Sequence, residues 1–256
     1  MLKFLLKSLV ELTGNRFVSR KLATFTESKY SKFLVPAFAS IYKIDQEEMR
    51  DPLSSYPSVQ ALFTRKLKQD LRPIDSHEAS AVSPVDGVLN DYGTIQDGIA
   101  FSVKGKQLSI DELLGSKTKA SRYNGGSYMV IYLSPQHYHR IHSPVSGRIV
   151  DNYTLGGKSY PVNKLGEKYG KRPLSTNYRR ITEVDTEHGF CAIVKVGALN
   201  INSIQLTYEG NKLVKGQEIG YFSFGSTVIL LFEQLSFSTL AVEQALKVGE
   251  RIGLFN

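Results

Sequence analysis

Five histidines occur in 256 residues, and three of them fall within six positions. They are His137, His139 and His142, in Ser134-Pro135-Gln136-His137-Tyr138-His139-Arg140-Ile141-His142-Ser143-Pro144. The cluster follows an apolar run, 127–133, that reads as a strand, so it sits at a strand end or in a loop, where functional side chains concentrate. In extended backbone His137 and His139 would share one face and His142 the other, unless a turn intervenes. Imidazoles at this density serve either a metal ion or proton transfer. Added to Asp86, they make a zinc-like ligand set, although no HExxH spacing fixes it. For acid–base work, a histidine paired with Asp86 needs a nucleophile. Phe224-Gly225-Ser226-Thr227 offers one, Ser226, at the mouth of a strand. It is not the Gly-x-Ser-x-Gly elbow, because residue 228 is Val. From these residues a metal-dependent hydrolase using His137, His139, His142 and Asp86 and an acid–base site around Ser226 both remain open. So does a non-catalytic lipid-binding module that merely keeps the turns.

The elements that must position these groups change character along the chain. Up to about Leu67 the apolar spacing is helical, including Val59 to Leu67; after Arg72-Pro73 short β-branched and aromatic runs alternate with turn residues. Strands are predicted at 127–133, 190–196, 201–208 and 227–232. One helix is predicted near Ser109-Ile110-Asp111-Glu112, whose Ser and Glu can form a capping box. Ser83-Pro84-Val85-Asp86-Gly87-Val88 returns as Ser143-Pro144-Val145-Ser146-Gly147-Arg148-Ile149. Pro and Gly at these offsets make a tight turn into a strand, and two copies predict two related β units around a pseudo-twofold axis. The fold class is therefore α+β: N-terminal amphipathic helices, then a mostly antiparallel β core with internally duplicated, barrel-sandwich-like units. The boundary falls between a helical, membrane-associating region 1–72 and a β-rich domain 73–256.

Composition narrows the function classes. The 41% hydrophobic and 22% charged content is that of an ordinary globular chain. The longest unbroken apolar run, Tyr128 to Leu133, is far short of the roughly 20 residues of a spanning helix, which excludes a multi-span membrane protein. The lone Cys191, among apolar neighbours, reads as a buried strand residue and provides no disulfide framework. Net charge is +8, of which residues 1–44 carry +6 (eight Lys/Arg against Glu11 and Glu27). There Leu2, Leu5, Leu6 and Leu9 recur at helical spacing. A basic, apolar-faced start fits an anionic membrane surface, or a helical layer packed on the protein's own core. A signal peptide fits less well, since Lys7 and Glu11 interrupt the apolar stretch. A second basic cluster, Lys158 to Arg180, is rich in Gly and reads largely as loop. No nucleic-acid-binding signature accompanies it, so an acidic small molecule or lipid headgroup is the sharper partner.

Four blocks in order carry a resemblance to one family. They are Phe63-Thr64-Arg65-Lys66-Leu67-Lys68 through Arg72-Pro73-Ile74, Ser83-Pro84-Val85-Asp86-Gly87, Tyr138-His139-Arg140-Ile141-His142, and Gly225-Ser226-Thr227. Together the chain resembles phosphatidylserine decarboxylase along nearly its whole length, with Phe224 where the family motif commonly has Leu. The resemblance implies a proenzyme that cuts itself between Gly225 and Ser226, giving a large chain 1–225 and a small chain 226–256 that stay associated. Ser226 becomes a covalent pyruvoyl group (the pyruvate cofactor), which forms a Schiff base with phosphatidylserine and releases CO2 to leave phosphatidylethanolamine. It further implies that His142 is the base for Ser226, that Asp86 orients His142, and that His139 reprotonates the carbon. No metal or nucleic acid is required. His137 lies outside the motif and is read as structural, and His77 and His188 as exposed surface. The implied location is peripheral, at the cytoplasmic face of the cell membrane. A higher homo-oligomer is left open, and Tyr160-Pro161-Val162-Asn163 resembles the family's mobile loop beside the site.

Overall fold

The computed structural model describes residues 16–101, 107–157, 172–197, 204–223, 226–236 and 244–255. The leucine face at 2–9, the segment around Tyr160 to Asn163, and Phe224 and Gly225 lie outside these. Among the described residues, helices come first and strands follow. Helices Arg16–Glu27, Val35–Ile41 and Val59–Phe63 and a 3-10 turn at Lys29–Leu34 build a small core of their own, centred on Phe38, Tyr42, Val59, Leu62 and Phe63. Ser58 begins the last helix as its N-cap, accepting from the Ala61 N–H at 3.1 Å. The predicted helix near residue 110 is Ile110–Leu114, capped by Ser109, which accepts from the Glu112 N–H. Only half of a capping box forms, because the Glu112 carboxylate pairs with Arg172 instead of turning back.

The β core contains β1 (Ser80–Val82), β2 (Gly87–Gln96), β5 (Ser127–Leu133), β6 (Arg140–His142), β7 (Gly147–Leu155), β8 (Arg179–Thr186) and β9 (Gly189–Gly197). It continues with β10 (Ile204–Leu206), β11 (Lys212–Leu213), β12 (Glu218–Phe222), β13 (Ser226–Phe232), β14 (Ala245–Leu246) and β15 (Arg251–Leu254). The short β3 (Ile99–Phe101) and β4 (Gln107–Ser109) extend one edge. Among the described residues every pairing between these strands is antiparallel. β13 lies between β5 and β9 in the large sheet, and all seven of its residues are buried. Val228, Leu230 and Phe232 pack into one apolar cluster, Ile229 and Leu231 into the other. Burial on both faces explains why this strand reads as a continuous apolar run rather than an alternation.

The sequence echo is a true duplication. Val82 N–H donates to the Pro144 carbonyl (3.0 Å) and His142 N–H to the Pro84 carbonyl (2.8 Å). Within each turn the serine hydroxyl donates to the valine carbonyl two residues on, at 2.7 Å in both copies. β1 pairs with β15 as β6 pairs with β12, with an irregularity at the same place. β14 joins β2 as β11 joins β7. The duplication therefore extends to residues that show little identity. Gly216 (φ +82°) and Gly249 (φ +88°) are its matched partners, and Ile74 packs where a Cβ would stand on either.

One buried residue conflicts with its surroundings. Lys195 on β9 is fully buried opposite Val228, and its Nζ donates to Thr182 Oγ1 at 2.7 Å. Burial, helped by the Arg180 charge, pulls its pKa down to about 7. Unfolded lysine titrates near 10.4, so between about pH 7 and 10 the unfolded chain binds more protons and stability rises with pH. The slope from this residue is about 1.4 kcal/mol per pH unit at most. Urea unfolding of Lys195→Met should show a variant more stable than the wild type near pH 7, with the gap closing toward pH 10.

Candidate active site

The segment 134–139 is not extended, and strand β6 begins only at Arg140. From Leu133, which pairs with Ser226, the chain turns, and the Ser134 N–H donates to His137 Nδ1 at 3.0 Å. His137 thus holds the loop shape, consistent with a structural reading. His139 returns inward: it is fully buried, its carbonyl accepts from the Phe222 N–H (3.0 Å), and its ring lies 3.8 Å from that of Phe63. Its Nδ1–H donates to the His137 carbonyl at 2.9 Å. Nε2 is therefore the nitrogen with the lone pair, and it has no partner among the described residues. Burial, reinforced by the Arg65 charge, holds His139 well below the ordinary histidine range, so it is neutral near pH 7.

His142 is neutral for a related reason. Burial lowers its pKa against the opposing influence of the Gly216 carbonyl, Glu218 and Asp86. Its Nδ1–H donates to the Gly216 carbonyl at 2.8 Å, and Nε2 lies 3.3 Å from the Tyr138 hydroxyl. In the continuous chain the acceptor that orients this imidazole is Gly216, not Asp86. The Asp86 carboxylate accepts from Arg72 Nε (2.9 Å) and Nη2 (2.6 Å) and from the Val248 N–H (2.9 Å). Its repeat-related counterpart, Ser146, caps the Lys215 N–H in the same way at 3.0 Å. Asp86 thus inherits a turn-capping role from the fold and acts on His142 through its field. Tyr138, His142, Glu218, Arg72 and Lys68 border an open cleft of about 190 Å3.

Ser226 is the first residue of β13, fully buried, and among the described residues its Oγ has no hydrogen-bond partner. Buried hydroxyls are normally satisfied, so an unpartnered one opposite Leu133, where the histidine loop begins, is a candidate for chemistry. Metal ligation fares differently: among the described residues no three His, Cys, Asp or Glu side chains gather closely enough to hold an ion. The three histidines are instead oriented by separate main-chain groups. His77 is exposed, but His188 is not the free surface residue expected: its ring stacks on Phe255 with centroids 4.8 Å apart.

The match to known proteins decides between the readings. The family model for phosphatidylserine decarboxylase matches residues 59–254. The chain is 52% identical to a phosphatidylserine decarboxylase proenzyme of Anoxybacillus flavithermus, over 99% of this chain and 97% of the relative. It is equally identical to one of a Geobacillus species, over 99% of both, and 50% identical to one of Bacillus thuringiensis, over 99% and 96%. The chain belongs to the phosphatidylserine decarboxylase family. Two residues of the family blocks that the sequence marked only as signature acquire contacts here. Phe63 seats the His139 ring, and Arg72 binds Asp86 and Glu48 together, through Nη2 at 2.6 Å to each. The sole advance sign of either was its place in a family block.

The Arg72 side chain and that of Asp86 are each 9% exposed. Although burial works against the cation, the two carboxylates push its pKa above the ordinary arginine value. Breaking a buried pair by removing one partner typically costs about 3–5 kcal/mol, because the other charge is left uncompensated. Arg72→Met should lose stability of that order in urea unfolding, and adding Asp86→Asn should recover part of it.

Proposed function

We propose that this protein is a self-cleaving phosphatidylserine decarboxylase that uses Ser226 for both maturation and turnover. The observation that carries the reading is the buried, unpartnered Ser226 Oγ at the head of the central strand, in a chain about half identical to proenzymes of this family. In maturation Ser226 Oγ attacks the Gly225 carbonyl carbon, the peptide nitrogen leaves as the amine of residue 226, and an ester joins the two residues. Removal of the Cα proton of residue 226 breaks the Cβ–Oγ bond and releases 1–225 with a carboxylate. Water then replaces the nitrogen, which departs as ammonia, and leaves a ketone on residue 226. His142, neutral and with Nε2 facing the Tyr138 hydroxyl, is the base for the hydroxyl proton; such assistance is typically worth about 10²–10⁴-fold. Asp86 supports the charge that His142 then acquires.

The pyruvoyl carbonyl supplies an electron sink for an amine-bearing headgroup. The unpartnered Ser226 Oγ fits a residue that is to be rebuilt, since no hydrogen bond of the fold is lost with the hydroxyl. His139 is the proton carrier of turnover: its bare Nε2 accepts a proton and can return it to carbon after CO2 leaves. Residues 1–72 form the membrane-facing region and 73–256 the catalytic domain. The 3-10 turn at Lys29–Leu34 supports the first assignment, with Tyr30 and Phe33 each 72% exposed and each directly following an exposed lysine, Lys29 and Lys32. Apolar rings flanked by cations suit an anionic leaflet, where each cation contributes about 1 kcal/mol. Among the described residues no helix is long and apolar enough to cross a membrane, and a peripheral site at the cytoplasmic face agrees with this.

The two chains remain one particle after cleavage, because residues 226–256 supply β13, β14 and β15, each paired with strands of the large chain.

Intact-mass spectrometry of freshly purified wild type and Ser226→Ala tests the central claim. The expected wild-type result is a 31-residue fragment starting at position 226 and lighter than its unmodified form by one ammonia. A single uncut mass in both folded samples sinks the reading. For the docking surface, Tyr30→Ser with Phe33→Ser should weaken sedimentation with phosphatidylserine-containing vesicles by about tenfold or more, since burying one such ring is worth about 1.5–3 kcal/mol. Self-cleavage should be unchanged.

A further inference from the structure

Two arginines of the described chain are almost wholly enclosed, and the fold treats them differently. Arg179, 3% exposed, donates from Nε to the Leu113 carbonyl (2.7 Å), from Nη1 to Asn177 (3.2 Å) and from Nη2 to Glu112 (2.7 Å). Every nitrogen of that guanidinium is satisfied by main chain. Arg65, 4% exposed, has only Nη2 engaged, with the Gln136 carbonyl at 2.7 Å and the His137 carbonyl at 3.2 Å. Its Nε and Nη1 are buried without a partner among the described residues. No carboxylate among the described residues forms an ion pair with it; Glu48 and Asp86, which act on it through their fields, are bound to Arg72. An uncompensated buried guanidinium with open donors is costly, and a fold that satisfies Arg179 so fully can satisfy an arginine.

The position of the open donors gives them a use. Arg65 Nη2 and His139 Nδ1 share one acceptor, the His137 carbonyl. The guanidinium and the His139 ring are therefore neighbours across a single oxygen, on the loop that leaves Leu133, the pairing partner of Ser226. Cationic donors and a neutral imidazole lone pair, unpartnered among the described residues, thus belong to adjoining side chains at the loop that follows the strand paired with Ser226. Resting on the decarboxylase reading, we infer that Arg65 is an oxyanion subsite that receives the phosphodiester of the lipid headgroup. A serine headgroup brings two anionic groups, a phosphodiester and a carboxylate, and the reaction discriminates between them. A guanidinium clamped on the carboxylate stabilises the charge that must vanish as CO2 leaves, and so favours the ground state. The phosphodiester keeps its charge throughout, and holding it fixes the amine without opposing the bond cleavage. Arginine suits this role, since it stays charged where a lysine would be neutralised by burial.

The test uses the matured enzyme and two soluble probes. Glycerophosphoethanolamine carries phosphodiester and amine without carboxylate; free serine carries carboxylate and amine without phosphate. The expected result is that glycerophosphoethanolamine shifts the Arg65 Nε–H resonance of 15N-arginine-labelled enzyme and inhibits CO2 release. Arg65→Lys should weaken that inhibition and raise the KM for phosphatidylserine at least tenfold, with serine inhibition little changed. Should Arg65→Lys fail to fold, the wild-type titration decides. A response to serine alone, or to neither probe, overturns the assignment. So does a variant with reduced kcat and unchanged probe affinities, which would make Arg65 a brace for the histidine loop. A wild type that never yields the fragment from position 226 would sink the decarboxylase reading instead, while the titration would still report on Arg65.

Discussion

Two backbone hydrogen bonds, Val82 to Pro144 and His142 to Pro84, tie the repeats together, and the site depends on them. Each closes a buried donor of one turn on an acceptor of the other, so neither turn is complete alone. The symmetry ends at the side chains. Where one repeat has Val82 the other has His142, and where one has Ser146 the other has Asp86. A duplicated scaffold thereby brings two non-equivalent positions of different repeats to a common seam. The residue that donates across the seam to Pro84 is itself the histidine, two residues from Asp86 in the opposing turn. Chemistry arises from the places where the copies stopped matching.

The same frame explains why cutting the chain beside Ser226 is compatible with an intact fold. β13 is held by ladders on both sides and by apolar packing on both faces. Cleavage at its first residue removes little of that ladder, so the strand retains its register. The reacting position is thus fixed by a strand buried along its whole length, at its first residue. Gly197 and Leu133, the cross-strand partners of Ser226, hold the backbone there from either side.

Electrostatics divides the buried charges into satisfied and unsatisfied ones. Arg72 is saturated by Glu48 and Asp86, linking the helical region to the catalytic turn. Arg179 is saturated by carbonyls. Arg65, His139 and Ser226 retain unpartnered atoms. Folding alone leaves few such groups, and two of these side chains, Arg65 and His139, meet at one acceptor, the His137 carbonyl. Keeping both His139 and His142 neutral follows from burial and requires no special device.

Much was legible in the sequence because it depends on local rules. Strand 127–133 was predicted to the residue, and β9 and β13 emerged one residue longer at their ends. The repeated Ser-Pro-Val-x-Gly turn announced the duplication because turn geometry demands particular residues. The prediction at 201–208 narrowed to Ile204–Leu206 among its described residues, since strand length is set by what pairs alongside. Family blocks brought His139, His142, Asp86 and Ser226 into one candidate site. What they could not convey is who holds whom. That Gly216 and not Asp86 accepts from His142, that Asp86 serves Arg72, and that His188 stacks on Phe255 are contacts between residues tens of positions apart. The sequence by itself determined the element types, the repeat and the candidate site residues, because periodicity, turn chemistry and motif are written locally. The tertiary structure alone decided tautomers, neutral histidines and the open guanidinium of Arg65, because burial and hydrogen-bond partners exist only once distant segments have met.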